Sequence, residues 1–133
     1  MIAIKDIKTF DKDMLQDLFL SVGWSSGQYP DKLVQAMTHY ATVYTAWEGG
    51  RLVGLVSAMD DGVMTAYVHY LLVRPEYQGQ GVGRLLMEQI KKRYQDYLRI
   101  ALHAYDQAIG FYESCGFSKG QGETPMYITC LHT

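Results

Sequence analysis

The chain has 133 residues, which fits one domain spanning 1–133 and leaves little room for a second. Hydrophobic residues make up 48% and charged residues 20%, a globular mixture that excludes a disordered tail or a coiled coil. The formal net charge of −2 argues against nucleic acid as main partner, since phosphate binding needs concentrated basic surface. No stretch approaches the ~20 apolar residues that span a bilayer, so no membrane is expected.

Ile2 to Ile7 alternates apolar and polar residues, as a half-buried strand does. The start has no basic region followed by a long apolar run, so it does not read as a signal peptide. Met14, Leu15, Leu18, Phe19 and Val22 then mark a helix face, with Asp11 as cap and Gly23 as stop. Gly23 to Tyr29 reads as a loop, and Pro30 suits the first turn of a second helix. The apolar stripe of that helix is Leu33, Ala36, Met37 and Tyr40. Thr42 to Trp47 and Arg51 to Ala58 read as strands joined by a Gly49-Gly50 hairpin. Asp60-Asp61-Gly62 is the next turn, and Thr65 to Val73 completes a meander. Its apolar end, Tyr70 to Val73, suits a central position.

After a loop comes a helix with Val82, Leu85, Leu86, Ile90 and Tyr94 on one face. Leu98 to Ala104 reads as a strand. Asp106 is expected to cap a short helix carrying Ala108, Phe111, Tyr112 and Cys115, which Gly116 ends in the left-handed position. Met126 to Leu131 is expected to be a last strand, with room for a short one near Phe117. The predicted order is β-α-α-β-β-β-α-β-α-β-(β): an α/β chain mixing an antiparallel meander with one β-α-β crossover.

The strongest local signal is Gln78-Gly79-Gln80-Gly81-Val82-Gly83-Arg84, between an apolar strand and an amphipathic helix. A helix start leaves backbone N–H groups unpaired and carries partial positive charge. Glycines let those groups approach a phosphate closely. A P-loop would need Gly-Lys-Ser/Thr where this loop has Gly-Arg-Leu. In the dinucleotide fingerprint counted from Gly79, the third glycine would fall at Arg84. A ligand-free strand-to-helix turn is the bland alternative.

Gln78-x-x-Gly81-x-Gly83, preceded by Leu71-x-Val73-x-Pro75, resembles the acetyl-CoA signature of the GNAT superfamily of N-acetyltransferases. Phe111-Tyr112-x-x-x-Gly116-Phe117 resembles that superfamily's second landmark, and the element order is similar as well. The resemblance implies the acyl-CoA N-acyltransferase fold, with a bulged central strand that splays from its parallel neighbour. The pantetheine arm would pair with the backbone of Leu71, Leu72 and Val73, and the Leu71 amide would hold the oxyanion. The pyrophosphate would sit on Gly79, Gln80, Gly81, Val82, Gly83 and Arg84. Tyr112 matches the general acid, and loss of its hydroxyl is expected to weaken the alkaline limb of the pH profile. Many relatives have an asparagine seven residues earlier; here Tyr105 stands there, with Asp106 beside it as a substitute.

For a general base, the positions that resemble the family's glutamates are Tyr67 and Ile100, and neither is a carboxylate. His69 lies two residues before Leu71 and is expected to share its face. Its usual pKa of ~6.5 suits proton removal, directly or through water; a structural strand histidine and water alone are the alternatives. Cys115 reads as core, and no metal-ligand spacing appears among the histidines and cysteines. Cys115 and Cys130 read as free thiols, which points to a reducing, cytoplasmic compartment.

In this superfamily the acceptor lies beyond the thioester, against the loop between the first two helices; here Trp24 and Tyr29 would line it. The expected activity is acetyl-CoA-dependent transfer to a primary amine of a small molecule or peptide, without a metal. The rival is a non-catalytic acyl-CoA-binding or regulatory domain of the same fold. Strand edges leave room for a homodimer.

Overall fold

The computed structural model describes residues 1–131 and residue 133. Five strands form one sheet in the order β1 (Ile2–Lys5), β2 (Thr42–Glu48), β3 (Arg51–Asp60), β4 (Thr65–Val73) and β5 (Arg99–Leu102). The first four pair antiparallel, as their short connections require, and β5 joins β4 in parallel through a helical crossover. Helices α1 (Lys12–Ser21) and α2 (Pro30–His39) cover one face; α3 (Val82–Arg93) and the short α4 (Ile109–Ser114) cover the other.

Each layer follows from helical spacing. Asp11 caps α1 by accepting the Met14 N–H at 2.9 Å, and Leu15, Leu18 and Phe19 turn inward. They meet Leu33 and Met37 of α2 and Val43, Leu52, Leu55, Tyr70 and Leu72 of the sheet. On the opposite face Val82, Leu86, Met87 and Ile90 of α3 pack on Val53, Val56, Ala58, Ala66 and Val68. Each fully buried aliphatic side chain contributes ~1.5–3 kcal/mol. Leu85, expected in the α3 stripe, is 45% exposed, and Met87 is buried on the other flank of the Val82–Leu86–Ile90 row. The helix is rotated slightly about its axis from the expected orientation.

Two further expectations fail. Asp106 makes no cap bond: it begins a single 3-10 turn (Asp106–Ala108) that runs straight into α4, so its side chain meets no free helix start. The strand expected over Met126–Leu131 does not form among the described residues, nor does one near Phe117. Residues 117–131 are irregular; Met126 and Ile128 are almost wholly exposed. A strand needs a ladder, and this segment is held instead by separate contacts, such as His103 Nδ1 with the Tyr127 hydroxyl at 2.8 Å.

Two irregularities in β4 shape the site. Its register with β3 passes from Ala58↔Val68 to Ser57↔Tyr70, which leaves His69 as the extra residue of a β-bulge. Its pairing with β5 covers only Thr65–Val68 against Arg99–Leu102, so from His69 onward the two strands part. The free end of β4 is anchored from behind by Arg74, only 4% exposed. Its N–H reaches the Val53 carbonyl at 2.8 Å, its Nε the Leu52 carbonyl at 2.7 Å, and its Nη1 the Asp17 carboxylate at 2.7 Å.

Candidate active site

The gap beside β4 presents unpaired backbone. Tyr70 N–H donates to Ser57 Oγ at 3.3 Å and Arg74 N–H to Val53 O, both toward β3. Alternation along the strand therefore turns the amides of Leu71 and Val73 the other way, into the gap where β5 has ended. The Val73 carbonyl, facing the same side, already accepts Gln78 Nε2 at 2.9 Å. Close packing of β3 sets this edge: a Cβ at Gly54 would stand 2.9 Å from the Leu72 carbonyl.

The gap continues into the start of α3. Gly81 takes the N-cap position at φ 86°, a left-handed conformation that favours glycine, and no side chain caps the helix. The first bond is Leu85 N–H to Gly81 O at 3.0 Å, so the amides of Val82, Gly83 and Arg84 have no intrahelical acceptor. A Cβ at Gly79 or Gly81 would meet nothing within 4 Å, so the space in front of the loop is open. Arg84 is held over α4 by its bond to Ser114 Oγ at 2.7 Å.

Together these parts wall a cleft of about 740 Å³. Leu71, Leu72 and Val73 form its floor, and Gln78, Gly79, Gly81, Val82, Gly83 and Arg84 one end. Tyr105, Phe111 and Tyr112 form the far wall. Tyr112 has no hydrogen-bond partner among the described residues, yet no fully buried side-chain polar atom is without one. Its hydroxyl therefore keeps contact with solvent, and its side chain lines the cleft. Burial, with Cys115 nearby as the lesser cause, pushes its pKa up to about 12. It stays protonated across the ordinary pH range, as a proton donor must. The expected weakening of an alkaline limb is corrected accordingly: an inflection from Tyr112 would lie near 12.

His69 does not share the face of Leu71. The bulge places it on the α1–α2 side, where its ring stacks on Tyr70 at 4.2 Å and its Nδ1 pairs with the Tyr40 hydroxyl at 2.5 Å. The residue is nonetheless exposed, and Nε2 has no partner among the described residues. Burial among its neighbours, then the nearby His103, hold its pKa below the usual value, so the neutral imidazole prevails at neutral pH. Burial, then the neighbouring Tyr70, raises the pKa of Tyr40, which therefore remains a phenol.

A second cavity of about 330 Å³ opens on this side, lined among others by Tyr29, Leu33 and Tyr70. Trp24, by contrast, lines the larger cleft, with its ring 6.4 Å from Tyr105 and 6.1 Å from Tyr70. Trp24 and Tyr70 thus stand between the two spaces, and the two expected acceptor residues face different ones. His69, Gln80 and Asp106 line neither; Gln80 Nε2 turns back to Glu76 O at 3.1 Å. Asp60 and Asp61 also lie elsewhere, where Asp61 Oδ1 accepts three backbone N–H groups that close the β3–β4 turn. Sequence reasoning missed Val22, Tyr77, Gln107 and Ala108 in the cleft and Tyr40 beside His69. Gln107 and Ala108 carried a signal, since they lie between Tyr105 and the aromatic pair; Tyr40 carried none beyond its place in a helix stripe.

The cleft suits an acyl-CoA: a strand edge with two free amides adjoins a helix start with three, and neither is filled by side chains. Comparison with known proteins agrees. Residues 10–117 match the model of the acetyltransferase (GNAT) family. The uncharacterized N-acetyltransferase ycf52 of Porphyra purpurea is 31% identical over 84% of this chain and 76% of its own length. Serotonin N-acetyltransferase 2, chloroplastic, of Oryza sativa subsp. japonica is 33% identical over 81% of this chain and 56% of its own. Another ycf52 protein, of Gracilaria tenuistipitata var. liui, is matched over 59% of its length, so the chain spans a little over half of these two relatives. Among solved structures, a GNAT-family acetyltransferase from Streptococcus pneumoniae superposes with a TM-score of 0.79 at 29% identity, over 98% of this chain and 99% of that one. With the splayed strand, the glycine-led helix and this family match in agreement, the chain belongs to the GNAT family of acetyltransferases.

Proposed function

We propose that residues 1–133 act as one N-acetyltransferase domain that moves an acetyl group from acetyl-CoA to a primary amine within a ternary complex. The observation that carries this reading is the parting of β4 from β5 at His69, which frees the Leu71 and Val73 amides beside the α3 start. Leu71, Leu72 and Val73 would hold the pantetheine arm, and the amides from Gly79 to Arg84 the pyrophosphate. Bound there, acetyl-CoA supplies an activated acyl group and a thiolate leaving group.

The acceptor enters from the smaller cavity, across Tyr70. His69 Nε2 takes a proton from the ammonium, directly or through water, and the freed amine attacks the thioester carbonyl. The Leu71 N–H holds the oxygen as negative charge develops on it. Tyr112 gives its proton to the departing thiolate and recovers one from water, and the new amide nitrogen sheds its remaining extra proton. In sum, ammonium and thioester become amide, thiol and one released proton. His69 needs Nδ1–H for its Nε2 lone pair to be free, and Tyr40 supports that tautomer where its oxygen accepts that N–H.

Cytoplasmic placement is part of this reading and rests on the free thiols Cys115 and Cys130. A homodimer is also part of it, supported by the place of β5 at the edge of the sheet. Light scattering that gives a monomer mass at micromolar concentration would remove that element. The transfer itself is tested by initial rates with acetyl-CoA and an amine. Intersecting double-reciprocal lines are expected; parallel lines, or CoA binding with no turnover of any amine, would contradict it.

A further inference from the structure

Among the described residues that line the larger cleft, Arg84 alone carries an ionised side chain. It is exposed, and an exposed arginine on a first helical turn ordinarily samples many rotamers. This one is pinned. Its Nη2 donates to Ser114 Oγ at 2.7 Å, joining α3 to α4 across thirty positions of sequence. The Ser114 hydroxyl gives its own proton to the Phe111 carbonyl at 2.5 Å. Ser114 therefore meets Arg84 through a lone pair, as it must, since a guanidinium has five N–H donors and no acceptor. The bond uses one of those donors, and Arg84 makes no ion pair among the described residues. Its charge remains available at the end of the cleft where the amides of Val82, Gly83 and Arg84 have no intrahelical acceptor.

Resting on the acyl-CoA reading above, we propose that Ser114 is a positioning residue that holds the Arg84 guanidinium ready to pair with a phosphate of the donor. The helix start offers only partial charge, and Arg84 adds the full charge that the rest of the lining lacks. A guanidinium fixed beforehand loses less freedom when the phosphate arrives. Ser114 does not itself line the cleft, so it acts through Arg84. The cleft thereby favours acyl-CoA over an acyl group carried on pantetheine alone, which has the same thioester and amides and no phosphate.

Calorimetry with CoA as the probe tests the clasp in the parent, Ser114→Ala, Arg84→Met and the double variant, all changed at exposed positions. Arg84→Met should weaken CoA binding about 20-fold and Ser114→Ala about fourfold, because the first removes a charge-assisted bond and the second only its preorganisation. The double variant should bind no more weakly than Arg84→Met, since Ser114 then has nothing to hold. Ser114→Thr keeps the hydroxyl and should bind within about twofold of the parent. Initial rates with hexylamine as acceptor add the donor comparison. The ratio of kcat/KM for acetyl-CoA to that for S-acetylpantetheine should fall by the same factors as CoA affinity. Acetyl-dephospho-CoA separates the two sources of phosphate: it shows the same fall if Arg84 meets the pyrophosphate, and none if it meets the 3′-phosphate. Unchanged CoA affinity in Ser114→Ala, equal losses for donors with and without phosphate, or a double variant that loses the product of both single effects would overturn the positioning role and leave acetyl transfer standing. If CoA binds but no amine is acetylated, the transfer reading falls, and the calorimetric series still decides the role of Ser114.

Discussion

The two sides of β4 are built by different means. On the α3 side the cleft is made of backbone: the Leu71 and Val73 amides and the uncapped amides of Val82 to Arg84. On the α1–α2 side the smaller cavity is made of side chains from distant segments, Ser26 and Tyr29, Lys32 and Leu33, Tyr70, and Leu131. A backbone site can serve one unchanging ligand, because it depends on a few glycines and a bulge. A side-chain site can be altered residue by residue without disturbing the fold. On the proposed reading these are a fixed donor half and an adjustable acceptor half, and each half fails in its own way.

The largest effect should come from the backbone half. Gly81→Val forces a branched residue into φ 86° and projects it into the open space before the amides. Calorimetry should show CoA affinity reduced by about 100-fold or more, together with ~1–2 kcal/mol of lost stability from the strained backbone. Unchanged CoA affinity would mean that the loop is only a turn.

Next comes Tyr112→Phe, which keeps the ring and its packing. A thiolate with a pKa near ~8.5 leaves tolerably well unaided, so the loss in kcat should be about 10²-fold, the low end for general acids. KM for acetyl-CoA should barely move. The loss should be uniform through the neutral and moderately alkaline range, because the phenol titrates only near 12. Full activity would remove Tyr112 from the chemistry.

A smaller effect is expected at His69 and Tyr40. Because the folded pKa of His69 is depressed, the acid limb of kcat/KM should fall below the usual ~6.5 and vanish in His69→Gln, with about a tenfold loss of rate. The sign for stability is the same: as pH falls below ~6.5 the unfolded chain takes up this proton before the folded one does, so stability declines. Tyr40→Phe should lower kcat a few-fold and move the acid limb, which lost packing alone would not do. An acid limb identical in all three proteins would assign the base elsewhere. The smallest change is Cys115→Ala, which should cost ~1–2 kcal/mol for a buried side chain and leave turnover intact.

The same division explains what the sequence could and could not disclose. The glycine loop and the Phe111-Tyr112 pair are local patterns, so the family resemblance they carry was legible in the sequence, and both line the cleft. The resemblance implied a bulge in this strand but not its place, since nothing local marks the residue a partner strand will leave unopposed; one inserted position sent His69 to the face opposite that expected. Met126 to Leu131 has strand-like composition, but strand formation depends on a free ladder, which is a tertiary property. Leu85 and Met87 exchanged places because periodicity fixes a stripe to within one residue on either flank. The smaller cavity joins residues about a hundred positions apart, and no spacing rule reaches that far.

The central claim is direct transfer from acetyl-CoA to an amine, and one experiment addresses it most directly. The protein is mixed with acetyl-CoA and hexylamine, and both amine and intact protein are followed by mass spectrometry. The account predicts one N-acetylated amine for each CoA released, with the protein mass unchanged throughout and the same result in Cys115→Ala. A protein one acetyl group heavier whose label then passes to the amine, or CoA release without any acetylated amine, would contradict it.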